Sequence, residues 1–270
     1  MPLRPSRVRL RSAAVSDTGV HRAVNQDAAF TAPWGGAVAD GVGGGPAGDL
    51  ASAAFAHRLA AGRVGTVDPE TLAVSVRHAN WDLRAHVERD PSLSGMATTF
   101  TGVFVSETDT LLLAHTGDSR AYLLRDGVLT QQTRDDSYVQ ALVDRGLVTA
   151  QDAASHPRRN LITASLSGGE RDRVMVAEHE ARAGDRWVLC SDGLSDYVPH
   201  EDIAEAVTGR SASEAAADAV ARALEAGTRD NVTVVVCDIE VGEAVSFSAR
   251  PDTSFYGAAA ARFTEGLESA

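Results

Sequence analysis

The sequence predicts a domain of the α+β class with stacked layers. Three observations point there. Short strand-like runs outnumber helical stretches, strands and helices do not alternate strictly, and no internal repeat or linker divides the chain. With 270 residues, 44% of them hydrophobic and 23% charged, the chain suits one large globular domain. A formal net charge of −12 argues against a nucleic-acid partner, which needs surplus Lys and Arg. Acidic side chains are, by contrast, what hard divalent cations require.

Val8 to Ala13 alternates apolar and polar residues, as a half-buried strand does. Ala28–Thr31 and Gly36–Ala39 flank Pro33-Trp34-Gly35 and read as a hairpin. After the glycine-rich 41–45, Pro46 suits the first turn of a helix, and the Ala-rich stretch to Ala61 continues it. Asp68-Pro69-Glu70, a cap followed by proline, starts a second helix that runs to about Arg89. Thr98–Ser106 and Thr110–His115 are strands, and Ala121–Leu124 joins Val128–Thr130 through an Asp126-Gly127 hairpin turn. Short helices are expected near 136–145 and 149–155, then an irregular region from His156 to Glu170. Strands at Val174–Glu178 and Trp187–Cys190 precede helices near 200–207 and from the capping box Ser211-x-x-Glu214 to about Ala226. Val232–Ile239 reads as the last strand, and 241–270 as a tail, peripheral or partly disordered, that has no clear period.

Arg4, Arg7, Arg9 and Arg11 are not followed by an apolar block, so no secretory signal is expected. No run approaches the roughly 18–20 apolar residues of a membrane span. A cytoplasmic protein with no membrane association is the expectation. Cys190 and Cys237 lie in apolar runs and read as reduced core residues, not as a disulfide or a zinc site.

Four aspartates share one local setting. Asp40 ends an apolar run, Asp118 follows Leu111–His115 closely, Asp192 ends Trp187–Ser191, and Asp230 precedes Val232–Val236. Singly, each is an ordinary turn residue. Together they stand at the ends of strands of one core, where they can converge, and converged carboxylates repel unless a cation neutralises them. All-oxygen donors favour magnesium, manganese or calcium, and two such ions can support in-line phosphoryl displacement.

Residues 16–27 (including Arg22 and Asn25-Gln26-Asp27), Ala39-Asp40-Gly41-Val42-Gly43-Gly44, Gly95-Met96-Ala97-Thr98-Thr99, Gly117-Asp118-Ser119-Arg120, Cys190-Ser191-Asp192-Gly193-Leu194 and Asp230-Asn231-Val232-Thr233 occur in that order. The set resembles bacterial members of the metal-dependent, type-2C (PPM) protein serine/threonine phosphatases. The resemblance implies a four-layer αββα sandwich, two antiparallel sheets flanked by helices, with a catalytic domain over 1–240 (core about 8–240). It implies hydrolysis of phosphoserine and phosphothreonine by direct attack of a metal-bridged hydroxide, with Mn2+ or Mg2+ as cofactor, two ions in the core site and a third beside them. On this resemblance Asp40 bridges two metals, Asp192 and Asp230 complete the first, and the Gly41 carbonyl ligates the second. Asp118, with Asp192, holds the third, and Arg22 grips the substrate phosphate. Asp40, Asp192 and Arg22 thus form the implied catalytic set. Implied partners are phosphoproteins, including targets of bacterial eukaryotic-like Ser/Thr kinases, met by a monomer.

Two positions depart from the common pattern. Gln26 stands where many members carry glutamate, keeping the hydrogen-bonding shape but losing the charge. Val42 stands where eukaryotic members have a histidine thought to protonate the leaving alkoxide, so a metal-bound water is the expected proton source. Gly45 also replaces a histidine frequent in bacterial members. His156 lies in what resembles the family's flap, roughly 135–170, while His115 in its apolar strand reads as a satisfied core residue. Two other readings stay open. Gly43 to Gly48 fits the dinucleotide-binding GxGxxG, with Asp68 suitably placed beyond it, although Asp40 and Pro46 both oppose a pyrophosphate there. A pseudophosphatase, the same fold used as a regulatory binding module, is the second.

Overall fold

The computed structural model describes residues 5–42, 47–61, 66–245, 247 and 253–262. The expected alternation produces strand β1 (Ser6–Asp17), which begins with Ser6, Val8 and Leu10 buried and Arg7, Arg9 and Arg11 exposed. β2 (Asp27–Ala32) and β3 (Gly35–Val42) pair antiparallel around Pro33-Trp34. Helix α1 (Gly48–Ala61) follows. Residues 43–46, which carry the expected Pro46 start, Gly45 and most of the glycine fingerprint, lie outside the described residues. Helix α2 (Pro69–Arg89) starts as expected, its Asp68 side chain accepting from the Thr71 N–H. A single 3-10 turn, Pro91–Leu93, leads into β4 (Ala97–Thr98) and β5 (Phe100–Val105), with β6 (Leu111–Thr116) beyond.

β7 (Arg120–Arg125) and β8 (Val128–Gln131) are joined by Asp126 and Gly127 at φ 52° and 80°, the two left-handed residues of a type I′ turn. The short helices α3 (Tyr138–Asp144) and α4 (Ala150–Ala154) precede β9 (Met175–His179) and β10 (Arg186–Cys190). A one-turn helix, α5 (Asp192–Ser195), comes next, followed by α6 (His200–Val207) and by α7 (Ala212–Glu225), whose Ser211–Glu214 capping box is complete. β11 (Val232–Val245) outruns its expected end at Ile239.

The strands form two antiparallel sheets. One has the order β1-β11-β10-β7-β8. The other runs from β12 (Ser254–Gly257) through β2-β3-β5-β6-β9, with β4 on β3. Three apolar clusters show how the layers stack. Val8, Leu10, Val38, Val103, Trp187 and Val235 fill the space between the sheets. Phe30, Trp34, Phe55, Leu72 and Leu83 join the second sheet to α1 and α2. Val188, Ile203, Ala216 and Val234 join the first sheet to α6 and α7. The result is the αββα sandwich.

The expected tail needs correcting where it is described. β12 pairs with β2, its Phe255 ring lies 4.1 Å from that of His57, and Ala258 and Ala259 are buried. Four residues are too few to show a period, so the strand was hidden in an Ala- and Gly-rich stretch. Residues 246, 248–252 and 263–270 lie outside the described residues. Cys190 and Cys237 are free and buried, in two different clusters, and burial pushes both thiols up to about 12.

Candidate active site

Strand ends from both sheets deliver their carboxylates to one cavity of about 160 Å3. Asp40 lies near the end of β3, Asp118 just past β6, Asp192 opens α5 directly after β10, and Asp230 stands just before β11. Arg22, Asp40, Gly41, Asp118, Asp192 and Asp230, the full set expected from the sequence, line this cavity together with Gln26, Val42, Thr99, Asn160, Ile162 and Asn231.

The backbone fixes Asp40 from both sides. Its N–H donates to Thr99 Oγ1 (3.0 Å), and its carbonyl accepts from the Thr99 N–H (2.8 Å) and the Thr98 hydroxyl (2.9 Å). The Gly41 N–H donates to the Gln26 carbonyl at 3.1 Å. A side chain at Gly41 would run into the Gly48 carbonyl, so the start of α1 can approach this strand only because residue 41 is glycine. Gly193 is constrained in the same way, by the Asn231 carbonyl. Asn231 is the staple of the site. Its amide donates to the carbonyls of Thr18 (2.8 Å) and Val24 (3.1 Å), and its Oδ1 accepts from the Gln26 N–H (2.8 Å). The loop that carries Arg22 is thereby tied to the start of β11.

Electrostatics show that the carboxylates sense one another. Burial raises the Asp40 carboxyl well above the usual range, and the charges of Asp27, Asp192, Asp118 and Asp230 push it further. Asp192 is raised well above its ordinary value by burial, then by Asp118 and Asp230. Asp118 is pushed to about 7 by burial, with Asp135 and Asp196 adding to it. Asp192 Oδ1 is buried without a hydrogen-bond partner. Such a set holds together at neutral pH only if something positive compensates it. Arg22 supplies part of that, its Nη2 donating to Asp230 Oδ2 at 2.7 Å. Among the described residues, no three Asp, Glu, His or Cys side chains are drawn into a closed metal shell. The donors nonetheless fit a hard divalent ion: all are oxygens, one is orphaned, and their mutual repulsion is what an ion would relieve.

Several further residues belong to the site or lie directly beside it. Asp27 pairs with Asp40 across β2–β3, and its buried carboxyl accepts from the Ser191 hydroxyl (2.7 Å) and is pushed to about 6 by burial. Asp27, Thr99 and Asn231 each stood inside a quoted motif, and that was their only signal. Asn160 and Ile162 had none beyond lying in the flap. The flap is closed at its neck, where the Tyr138 N–H donates to the Leu161 carbonyl (2.8 Å) and the Thr163 N–H to that of Asp136 (2.7 Å). His156 does not line the cavity; its Nδ1 accepts from the Arg158 N–H (3.1 Å) within the flap. His115 is a satisfied core residue, placed between Thr101 Oγ1 (2.9 Å) and the Arg134 carbonyl (3.0 Å).

A family profile described as Protein phosphatase 2C matches residues 20–228. The chain is 47% identical over 234 residues to the serine/threonine protein phosphatase PstP of Mycobacterium tuberculosis, covering 85% of this chain and 45% of that protein. It therefore spans less than half the length of this relative. It is 32% identical over 209 residues to the Listeria monocytogenes serine/threonine phosphatase stp, covering 74% of this chain and 82% of the relative. Among solved structures, the catalytic domain of PstP in complex with two manganese ions superposes with a TM-score of 0.80 at 44% identity, covering 86% of this chain and 99% of that one.

Proposed function

The chain belongs to the protein phosphatase 2C family, and from that premise we propose that it is a metal-dependent phosphatase acting on phosphoserine and phosphothreonine. The observation that carries this reading is one cavity lined by Asp40, Asp118, Asp192, Asp230 and Arg22. Mn2+ or Mg2+ suits its donors, with Asp40, Asp192, Asp230 and the Gly41 carbonyl holding two ions and Asp118 with Asp192 a third. When bound, such ions make water a competent nucleophile near neutral pH and neutralise charge on the phosphoryl group.

The chain's own residues do the remaining work. Arg22 exchanges Asp230 for two phosphoryl oxygens, a match for its planar fork. Thr98 and Thr99 hold Asp40 by its backbone, which leaves both carboxylate oxygens for the site. Gln26, fixed through its N–H and carbonyl, presents a neutral amide where a carboxylate would add charge. Among the described residues no cysteine or histidine lines the cavity, so a covalent intermediate on a thiolate or an imidazole has no candidate there. Val42 brings no acid to the lining, so a water held at the metal site would be the proton source for the leaving alkoxide. Nothing in the lining favours a binding-only role, and about 160 Å3 is too small for a dinucleotide. The finer parts, a cytoplasmic monomer that acts on targets of eukaryotic-like Ser/Thr kinases, rest on family resemblance. Among the described residues no helix is long and apolar enough to cross a membrane.

The test is hydrolysis of p-nitrophenyl phosphate with manganese. EDTA is expected to abolish it. Asp192→Asn is expected to lower kcat/KM by at least about 100-fold, the scale on which even outer partners of a metal act, and to weaken manganese binding by calorimetry. Turnover that survives EDTA, or no turnover in the wild type, would defeat the reading.

A further inference from the structure

A second cavity of about 430 Å3, roomier than the carboxylate cavity, lies between α2 and the 166–174 segment. Its buried apolar lining is Val76 and Leu166. Trp81, which also lines it, is 47% exposed. The wall is built, not a chance gap. Asn80, 3% exposed, accepts from the Gly168 N–H (2.8 Å) and donates to Asp172 Oδ2 (3.2 Å), while Asp172 also accepts from the N–H groups of Ser167 (2.7 Å) and Gly169 (2.9 Å).

Charge at the rim is unbalanced. Asp172 is taken up by these donors, and Glu170 pairs with Arg84 at 3.4 Å. Arg173 donates only to backbone carbonyls, those of Glu170 (2.8 Å) and Asp172 (3.0 Å), and Arg77 carries no ion pair among the described residues. Two guanidiniums without carboxylate partners among the described residues thus flank the apolar patch of Val76, Leu166 and Trp81 on a chain of net charge −12. The cavity reaches Val174, directly before β9. β9 ends its sheet and pairs only with β6, so among the described residues its outer edge is open to an extended chain.

We propose that this cavity docks an extended segment of the protein substrate. One apolar or aromatic side chain seats against Val76, Leu166 and Trp81, and flanking carboxylates meet Arg77 and Arg173. Only the identity of the partner as a substrate rests on the phosphatase reading. Leu166 exchanges backbone hydrogen bonds of 2.8 and 2.9 Å with Thr98, whose hydroxyl donates to the Asp40 carbonyl. The docked segment and the catalytic carboxylate therefore flank one strand pair, close enough for docking to raise the local concentration of the phosphoresidue.

The probe is a short fluorescein-labelled peptide with one phenylalanine between aspartates. Trp81 is the only exposed one of three tryptophans, Trp34 and Trp187 being 1% and 0% exposed, so its emission reports the cavity. Saturable anisotropy with a shift in tryptophan emission is expected. Arg77→Glu with Arg173→Glu should weaken binding by about tenfold or more and leave p-nitrophenyl phosphate hydrolysis unchanged. Fusing the segment to a phosphoserine peptide should lower KM without changing kcat, and the double variant should remove that gain. The proposal is overturned by no saturable change up to about 1 mM. Equal binding by the double variant, by a lysine-flanked peptide or by an alanine-for-phenylalanine peptide also overturns it. Binding by an inactive enzyme would uphold the docking surface while defeating the phosphatase reading.

Discussion

At the scale of single residues, Asn231 shows how a side chain that touches no reacting atom can decide a site. It satisfies three backbone groups of the 18–26 loop, and its neighbour Asp230 holds Arg22. Asn231→Ala is expected to lower stability by about 2–3 kcal/mol, since buried backbone groups lose partners, measured by urea unfolding. KM for p-nitrophenyl phosphate should rise more than kcat falls, because the loop that positions Arg22 loosens. A loss confined to stability would show that the loop keeps its place without the amide. The acidic residues of the site were legible because a carboxylate at a strand end carries a meaning of its own. Asn231 was not, because its role depends on contacts with residues more than half the chain away. Asp27 was hidden for the same reason, since its hydrogen-bond partner Ser191 lies far along the chain, just past β10.

Elements with local punctuation were the easiest to read. Asp68 before Pro69, and Ser211 with Glu214, mark helix starts by chemistry contained within four residues, and both caps form as expected. Asp68→Ala should cost about 1 kcal/mol, seen as a lower urea midpoint, with hydrolysis of p-nitrophenyl phosphate unchanged; an unchanged midpoint would mean that α2 is held by packing alone. Local chemistry that admits two outcomes is harder to read. Asp192-Gly193 looks like a turn, yet it opens a helix of one turn, because Ser191 and Asp192 follow a buried strand and Gly193 passes beneath the Asn231 carbonyl. β12 was missed because two aromatics among small residues give no period, although Phe255 finds its place against His57 and Phe30.

Across the whole molecule, fold class was legible from strand number and spacing, whereas sheet order was not, since register is set by partners that local pattern cannot name. The two cysteines offer a probe of how firmly the layers cohere. Cys190 lies beneath α6 and α7, Cys237 between the sheets, and burial pushes both thiols far above neutral pH. Neither should react with a disulfide reagent in the native protein. In urea both should become reactive at one midpoint that coincides with loss of the circular dichroism signal; reaction of one before the other would show that the outer helical layer opens separately. The pairing of β1 with β11, from Asp17 opposite Val232 onward, has a further consequence. Strand β1 cannot find its partner until β11, far along the chain, has also been synthesised, and long-range closure of this kind is slow. Asp230 and Asn231 arrive with that late strand. The carboxylate cavity is therefore complete only once β11 has been made, and a polypeptide stalled before Asp230 lacks two of the residues that line that cavity.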